Sequence, residues 1–275
     1  MLQRRFSTRS LAVLSLLAII FSICCAANAG ADENDVQLML DAITQEIPVQ
    51  ERILKWREPV RIVLYHEDPA AYPDRPILGL AEGRAVDIVG KLNEILGLQI
   101  FYRRSPFKDS LEYAVDLKSN TVDIYLIDRS NFDALEQAFV ASQSDRSNAI
   151  VPLLQYAISV GRRPDSYCVF TLIFDSESYI VKSVGVIDLG VHDTKVLQCF
   201  SRILLFSLGY GEVLQAGTHS VTAQPNEINE PTAFDYDVLR LLYDDMLLPR
   251  VIENEADRAA VEAAVAQILR NAAPE

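Results

Sequence analysis

Residues 199–213, CFSRILLFSLGYGEV, decide how the rest of the chain is read. From Val196 to Leu208 apolar side chains fall on nearly every side of a helix, which predicts a helix buried in the middle of a domain. Such a helix needs strands and further helices around it. Upstream, CVFTLIFD (168–175) and YIVKSVGVID (179–188) flank residues 176–178 and predict a β-hairpin. Downstream, Thr232 and Asp235 cap a helix over DYDVLRLLYDD (235–245), and residues 255–271 predict a last, alanine-rich helix.

Before the hairpin, residues 32–56 predict an amphipathic helix broken near Pro48 and ending at Trp56, the only tryptophan. PVRIVLYH (59–66) alternates as a strand should. Beyond Pro69, Pro73 and Pro76, AVDIVGKLNEIL (85–96) sets Val86, Val89, Leu92 and Leu96 at helical spacing, with Gly97 as a C-cap. LQIFYRR (98–104) and TVDIYLID (121–128) predict two more strands, and Ser130 with Asp133 a capping box for a helix to about residue 139. The polar stretch ASQSDRSNA (141–149) is a loop or a boundary between an N-terminal half, 30–145, and a C-terminal half, 146–275.

Residues 1–29 have the plan of a secretory signal peptide: Arg4, Arg5 and Arg9 precede an apolar run from Leu11 to Cys25 that ends in Ala27-Asn28-Ala29. That run is shorter than a membrane span of about 20 residues. Lipidation at Cys24 or Cys25 is the weaker alternative, because Ile23 and Cys24 stand where a lipoprotein signal has a small residue. Cleavage removes three of the 25 basic residues and none of the 38 acidic ones, leaving a net charge of −16. So acidic a chain repels phosphate backbones and anionic lipid, which disfavours nucleic-acid and membrane-surface partners. Of the four cysteines, Cys168 and Cys199 remain, and an exported pair is expected to form a disulfide. Two buried thiols are the alternative. A zinc site is poorly supplied, with these cysteines 31 apart and three histidines in the chain.

Trp56 with PVRIVLY, the helix ending in EILGLQI, the hairpin opened by Cys168, CFSRILLFSLGYGE and FDYDVLRLLYDDMLLP come in an order covering about residues 50–250. In that order the chain resembles a bacterial exported family catalogued as domain of unknown function 2927, many of whose members are described as lipoproteins and which has no established activity. That family is similar in outline to zinc-dependent metallopeptidases, where a strand or hairpin precedes a helix carrying HExxH, often continued as HExxHxxGxxH. The spacing sets two imidazoles on one helix face around zinc, with the glutamate activating its water. Aligned on Gly209, the histidine positions read Arg202 and Phe206, the glutamate reads Ile203, and the third ligand falls on Glu212. Arginine does not bind zinc and phenylalanine has no lone pair. The resemblance therefore implies a zincin-like core helix whose catalytic residues are gone. An ordinary buried helix ending at a glycine explains the same letters.

Other constellations are weaker. His66-Glu67 opens HExxH, but Pro69 stops the helix it needs. His192, Asp193 and Ser201 have the residue types of a triad without a nucleophile elbow. The acids Asp244, Asp245, Glu253, Glu255 and Asp257 sit where helices end or begin and are read as caps; His219 is read as a loop residue. A different class of function comes from residues 60–128, whose strand, helix and strand echo the first lobe of periplasmic solute-binding proteins. There Arg84, Arg103 or Arg104 would hold a substrate carboxylate. The sequence thus leads to an α+β, zincin-like single domain with a mixed sheet, a β-hairpin and buried C-terminal helices. It is expected to be exported to the periplasm or cell envelope, to lack catalysis, metal and cofactor, and to act through other envelope proteins, with solute binding as the alternative.

Overall fold

The computed structural model describes residues 33–47, 50–66, 76–106, 120–141, 155, 158–163, 166–211, 220–223 and 228–272. The expected signal peptide, Cys24 and Cys25, most of the 141–149 boundary, Glu212 and His219 lie outside the described residues. The chain enters through α1 (Glu33–Ile43) and then departs from the expected broken helix. In its place come β1 (Gln45–Ile47), β2 (Gln50–Ile53) and β3 (Lys55–Trp56). The physical reason is distant pairing: β1 and β2 are antiparallel, and β2 pairs along its other side with the short strand β9 (Arg250–Ile252).

The main sheet begins at β4 (Val60–His66). A helix, α2 (Ile77–Ile95), starts directly after Pro76, well before the point its periodicity suggests, and leads to β5 (Ile100–Pro106). Gly97 lies past its end with φ +60. β6 (Thr121–Ile127) is followed by a 3-10 turn and α3 (Phe132–Ala141). Here the cap is Asp128, whose carboxylate accepts from the Ser130 N–H, and not the expected Ser130. β7 (Cys168–Phe174) and β8 (Tyr179–Asp188) form the hairpin, and α4 (Asp193–Ser207) is the buried helix. α5 (Ala233–Leu242) carries the Thr232–Asp235 capping box, and α6 (Glu255–Ala272) ends the described chain.

Strands β5, β4, β6 and β8 lie side by side and parallel, with β7 antiparallel outside β8 and β3 against the start of β8. The fold is therefore mixed α and β, with a mostly parallel sheet and a small antiparallel one. Parallel sheets persist where both faces are covered, and β4 and β6 are buried at nearly every position. On one face Ile62, Leu64, Ile124 and Leu126 join the large core shared with α2 and α4. On the other, Val63, Tyr65, Tyr125 and Ile127 lie under Phe132 and Leu135 of α3 and Ile158. Because β6 pairs with β8, the two halves of the chain share one sheet.

The C-terminus of α4 is buried, and four carbonyls of a helix end have no intrahelical partner. The chain supplies them from elsewhere. Gly209 N–H donates to Phe206 and Tyr210 N–H to Leu205, a Schellman closure that needs the left-handed φ of +96 at Gly209. Trp56 Nε1 donates to the Ser207 carbonyl at 2.7 Å, the Tyr243 hydroxyl to that of Leu208 at 3.0 Å, and Gln45 Nε2 to that of Tyr210 at 2.9 Å. A Cβ on Gly209 would stand 2.0 Å from the Leu54 carbonyl oxygen.

Candidate functional site

The helix positions that the metallopeptidase outline assigns to ligands are structural. Ile203 is fully buried, and its side chain fills the space in which a Cβ on Gly185 of β8 would stand, within 2.6 Å. Phe206 stacks on Phe170 of β7, ring centroids 4.6 Å apart. Arg202 is half-buried, its guanidinium 6.0 Å from the Phe206 ring centre. Gly209, the anchor of the alignment, is there for the helix closure described above. Among the described residues no group of three His, Cys, Asp or Glu side chains is placed to hold a metal ion.

Cys168 and Cys199 are bonded, with Cα atoms 5.5 Å apart, and tie the first residue of β7 to the middle of α4. The triad types are not assembled. His192 is the N-cap of α4 and accepts from the Thr194 N–H, while Ser201 donates to the Asn229 carbonyl at 2.9 Å. His66 is buried at the end of β4.

The three arginines face different ways. Arg84 donates to the Asn229 carbonyl and pairs with Glu230 at 2.6 Å. With Asp87, Lys91, Glu94 and Tyr236 it lines a cleft of about 450 Å³ between α2 and the entry to α5. Burial lowers the Arg84 pKa, and burial aided by Asp235 pushes the Tyr236 hydroxyl up to about 12. Lys91 lies 4.9 Å from the Tyr236 ring centre. Arg104 pairs with Glu82 on the other flank of α2 at 2.8 Å. Arg103, one residue before it in β5, projects from the opposite face of the sheet, and it is exposed.

Two buried polar clusters escaped the sequence reading. Asp123 of β6 and Lys182 of β8 form an ion pair at 2.7 Å with both side chains fully buried, and Lys182 also donates to Thr121 at 2.9 Å. Burial raises the Asp123 carboxyl above its ordinary range, with the Lys182 ammonium opposing it. The pair lies toward the strand starts, whereas open parallel sheets place ligands beyond the carboxyl ends of their strands, so we assign it a structural role. Asp235 does more than cap α5: its carboxylate accepts from Tyr210 at 2.9 Å, Ser220 at 2.5 Å, and the N–H groups of Val221 and Thr232. The capping box was the legible part of that hub; residues 220–221 carried no signal.

A third polar feature lies at the open side of the sheet. Asn93, near the end of α2, donates from its amide to the Ile100 carbonyl at 2.9 Å and accepts from the Ile100 N–H at 2.7 Å. A side-chain amide thus occupies the place of a neighbouring strand at the first residue of β5. Compared with protein-family models, with curated proteins and with solved structures, the chain finds no match.

Proposed function

We propose that the chain is an exported, non-catalytic domain that works through contacts with other envelope proteins. The observation that carries this is the hydrocarbon filling of α4: where a hydrolytic helix would present ligands, Ile203 packs on Gly185 and Phe206 on Phe170. The Cys168–Cys199 bridge supports an oxidising compartment. No helix among the described residues is long and apolar enough to cross a membrane. Descent of α4 from a metallopeptidase helix is part of the proposal only as ancestry, resting on the hairpin that precedes it; the parallel order of β5, β4, β6 and β8 lends that ancestry no support. Affinity capture of the mature protein from an envelope extract, with mass spectrometry of the retained proteins and small molecules, tests the function. Recovery of a specific protein supports it. Stoichiometric zinc in protein purified without chelator, lost in Glu212→Ala, would overturn it.

Solute binding is the second reading, favoured by strand order. β5 and β6 flank β4 on opposite sides, and such a reversal opens a crevice at the carboxyl ends of the strands. A single metabolite retained at one per chain in native mass spectrometry would put this reading first.

A further inference from the structure

The outer edge of the sheet is β5, which pairs only with β4 among the described residues. Its backbone directions follow from one bond. The Val60 N–H donates to the Gln99 carbonyl, so in a parallel ladder residues 99, 101, 103 and 105 turn their backbone groups to β4. Ile100, Tyr102 and Arg104 turn theirs outward. Asn93 closes the first of these rungs. The N–H and C=O groups of Tyr102 and Arg104 meet no backbone partner among the described residues, which leaves two open rungs in a row.

The side chains beside those rungs are cationic and aromatic. Phe101 is 55% exposed, and it lies on the same face as Arg103 and as its partner in register, Arg61, both exposed. Two arginines, Arg61 and Arg103, thus share one face at this edge of a chain whose net charge is −13, while Arg104 on the other face is paired with Glu82. Charge also argues against a second copy of the chain as the occupant. The antiparallel self-pairing that uses both open rungs sets Tyr102 against Arg104 and therefore Arg103 opposite Arg103, a like-charge contact.

Resting on the protein-partner reading above, we propose that β5 is a docking edge for an extended, acidic segment of a partner protein. The segment adds a strand through the backbone groups of Tyr102 and Arg104, with a carboxylate beside Arg103 and an apolar side chain beside Phe101. The Asn93 amide sets its register by blocking Ile100.

The probe is a pair of synthetic nine-residue peptides with Thr at every second position and, at the positions between, Glu alternating with Val in one and Lys alternating with Val in the other, titrated by fluorescence anisotropy into the full mature chain. Expected are binding of the Glu peptide at least about tenfold tighter than the Lys peptide, and reversal of that preference in Arg103→Glu, a surface change that keeps the fold. Tyr102→Pro, which removes one outward N–H, should abolish binding of either peptide. Because that variant also risks the strand, hydrogen exchange of the unaltered chain is the second measurement. The Tyr102 and Arg104 amides should exchange quickly in the free protein and slow when the Glu peptide is added. Protection of both amides in the free monomer, or protection that grows with protein concentration alongside dimer sedimentation, would overturn the proposal. So would an envelope partner captured equally well by Arg103→Glu, although the protein-partner reading would then stand.

Discussion

At the scale of single residues, Gly209 shows how a backbone requirement can imitate a motif. Its φ of +96 closes α4, and its missing Cβ lets the Leu54 carbonyl approach. Gly97 offers the contrast, with φ +60 and open space within 4 Å of the point where a Cβ would stand. Gly209→Ala should therefore lower unfolding free energy by more than about 2 kcal/mol and Gly97→Ala by about 1 kcal/mol in urea titrations. Equal losses would mean that the approach of Leu54 carries no weight. Lys55 gives a prediction about pH. Burial lowers its pKa from 10.5 to about 8, against the pull of the Asp244 and Asp245 carboxylates, and its ammonium donates to the Asp244 carbonyl at 2.9 Å. Between those two values the unfolded chain binds more protons than the folded one, so stability rises with pH. The gain is complete above about 10.5 and is lost as pH falls through about 8. It is at most about 3 kcal/mol, from about 1.4 kcal/mol per unit. Urea midpoints at pH 8 and pH 9, below the range in which buried tyrosines would oppose the effect, should rise in the native chain and rise less in Lys55→Met; parallel rises would remove Lys55 as the cause.

Among elements, the bridge joins the antiparallel outer strand of the main sheet, β7, to the helix that crosses it. Closing a loop across 31 residues restricts the unfolded chain by about 3 to 4 kcal/mol. Unfolded, unreduced protein should show no free thiol on labelling, and Cys168→Ser should lose stability on that order, with β7 amides exchanging faster before those of β4. Two reactive thiols would refute the bridge. The elements differ in how far their sequences declare them. VRIVLYH and TVDIYLI were legible as strands, and residues 196–208 as a buried helix that the structure sets at Asp193–Ser207, because their period or uniform apolarity belongs to the segment itself. The bridge was legible from an even number of cysteines. The small sheet was not, since β1, β2 and β9 have three or four residues each and Glu51 finds its partner at Ile252. Nor did any local pattern tell that β5 and β6 would flank β4. Of the candidate site, Arg103 and Arg104 could be named as exposed cations, but the open rungs beside them depend on strand order and on Asn93, which only the fold brings to Ile100.

For the molecule as a whole, the pairing of β6 with β8 joins the two halves of the chain in one sheet, from which unfolding as one cooperative unit is expected. Calorimetry of residues 30–275 should give a single transition whose calorimetric and van't Hoff enthalpies agree. A fragment of residues 30–145 should fail to fold, because Asp123 would lose Lys182 and the face of β6 would lose Val184 and Val186. Two resolved transitions would show instead that the halves stand alone. The closure of α4 adds a matter of timing. Trp56 finds its acceptor at Ser207, 151 residues later, and its backbone N–H meets the Tyr243 hydroxyl 187 residues on. A ribosome that has made β4, β5 and β6 has delivered neither of those partners, so the core stays unclosed through most of synthesis, and contacts of such separation form slowly. Under the export proposed above, that delay would be useful: what reaches the secretion channel would still be a thread, and both thiols would meet an oxidant only on the far side.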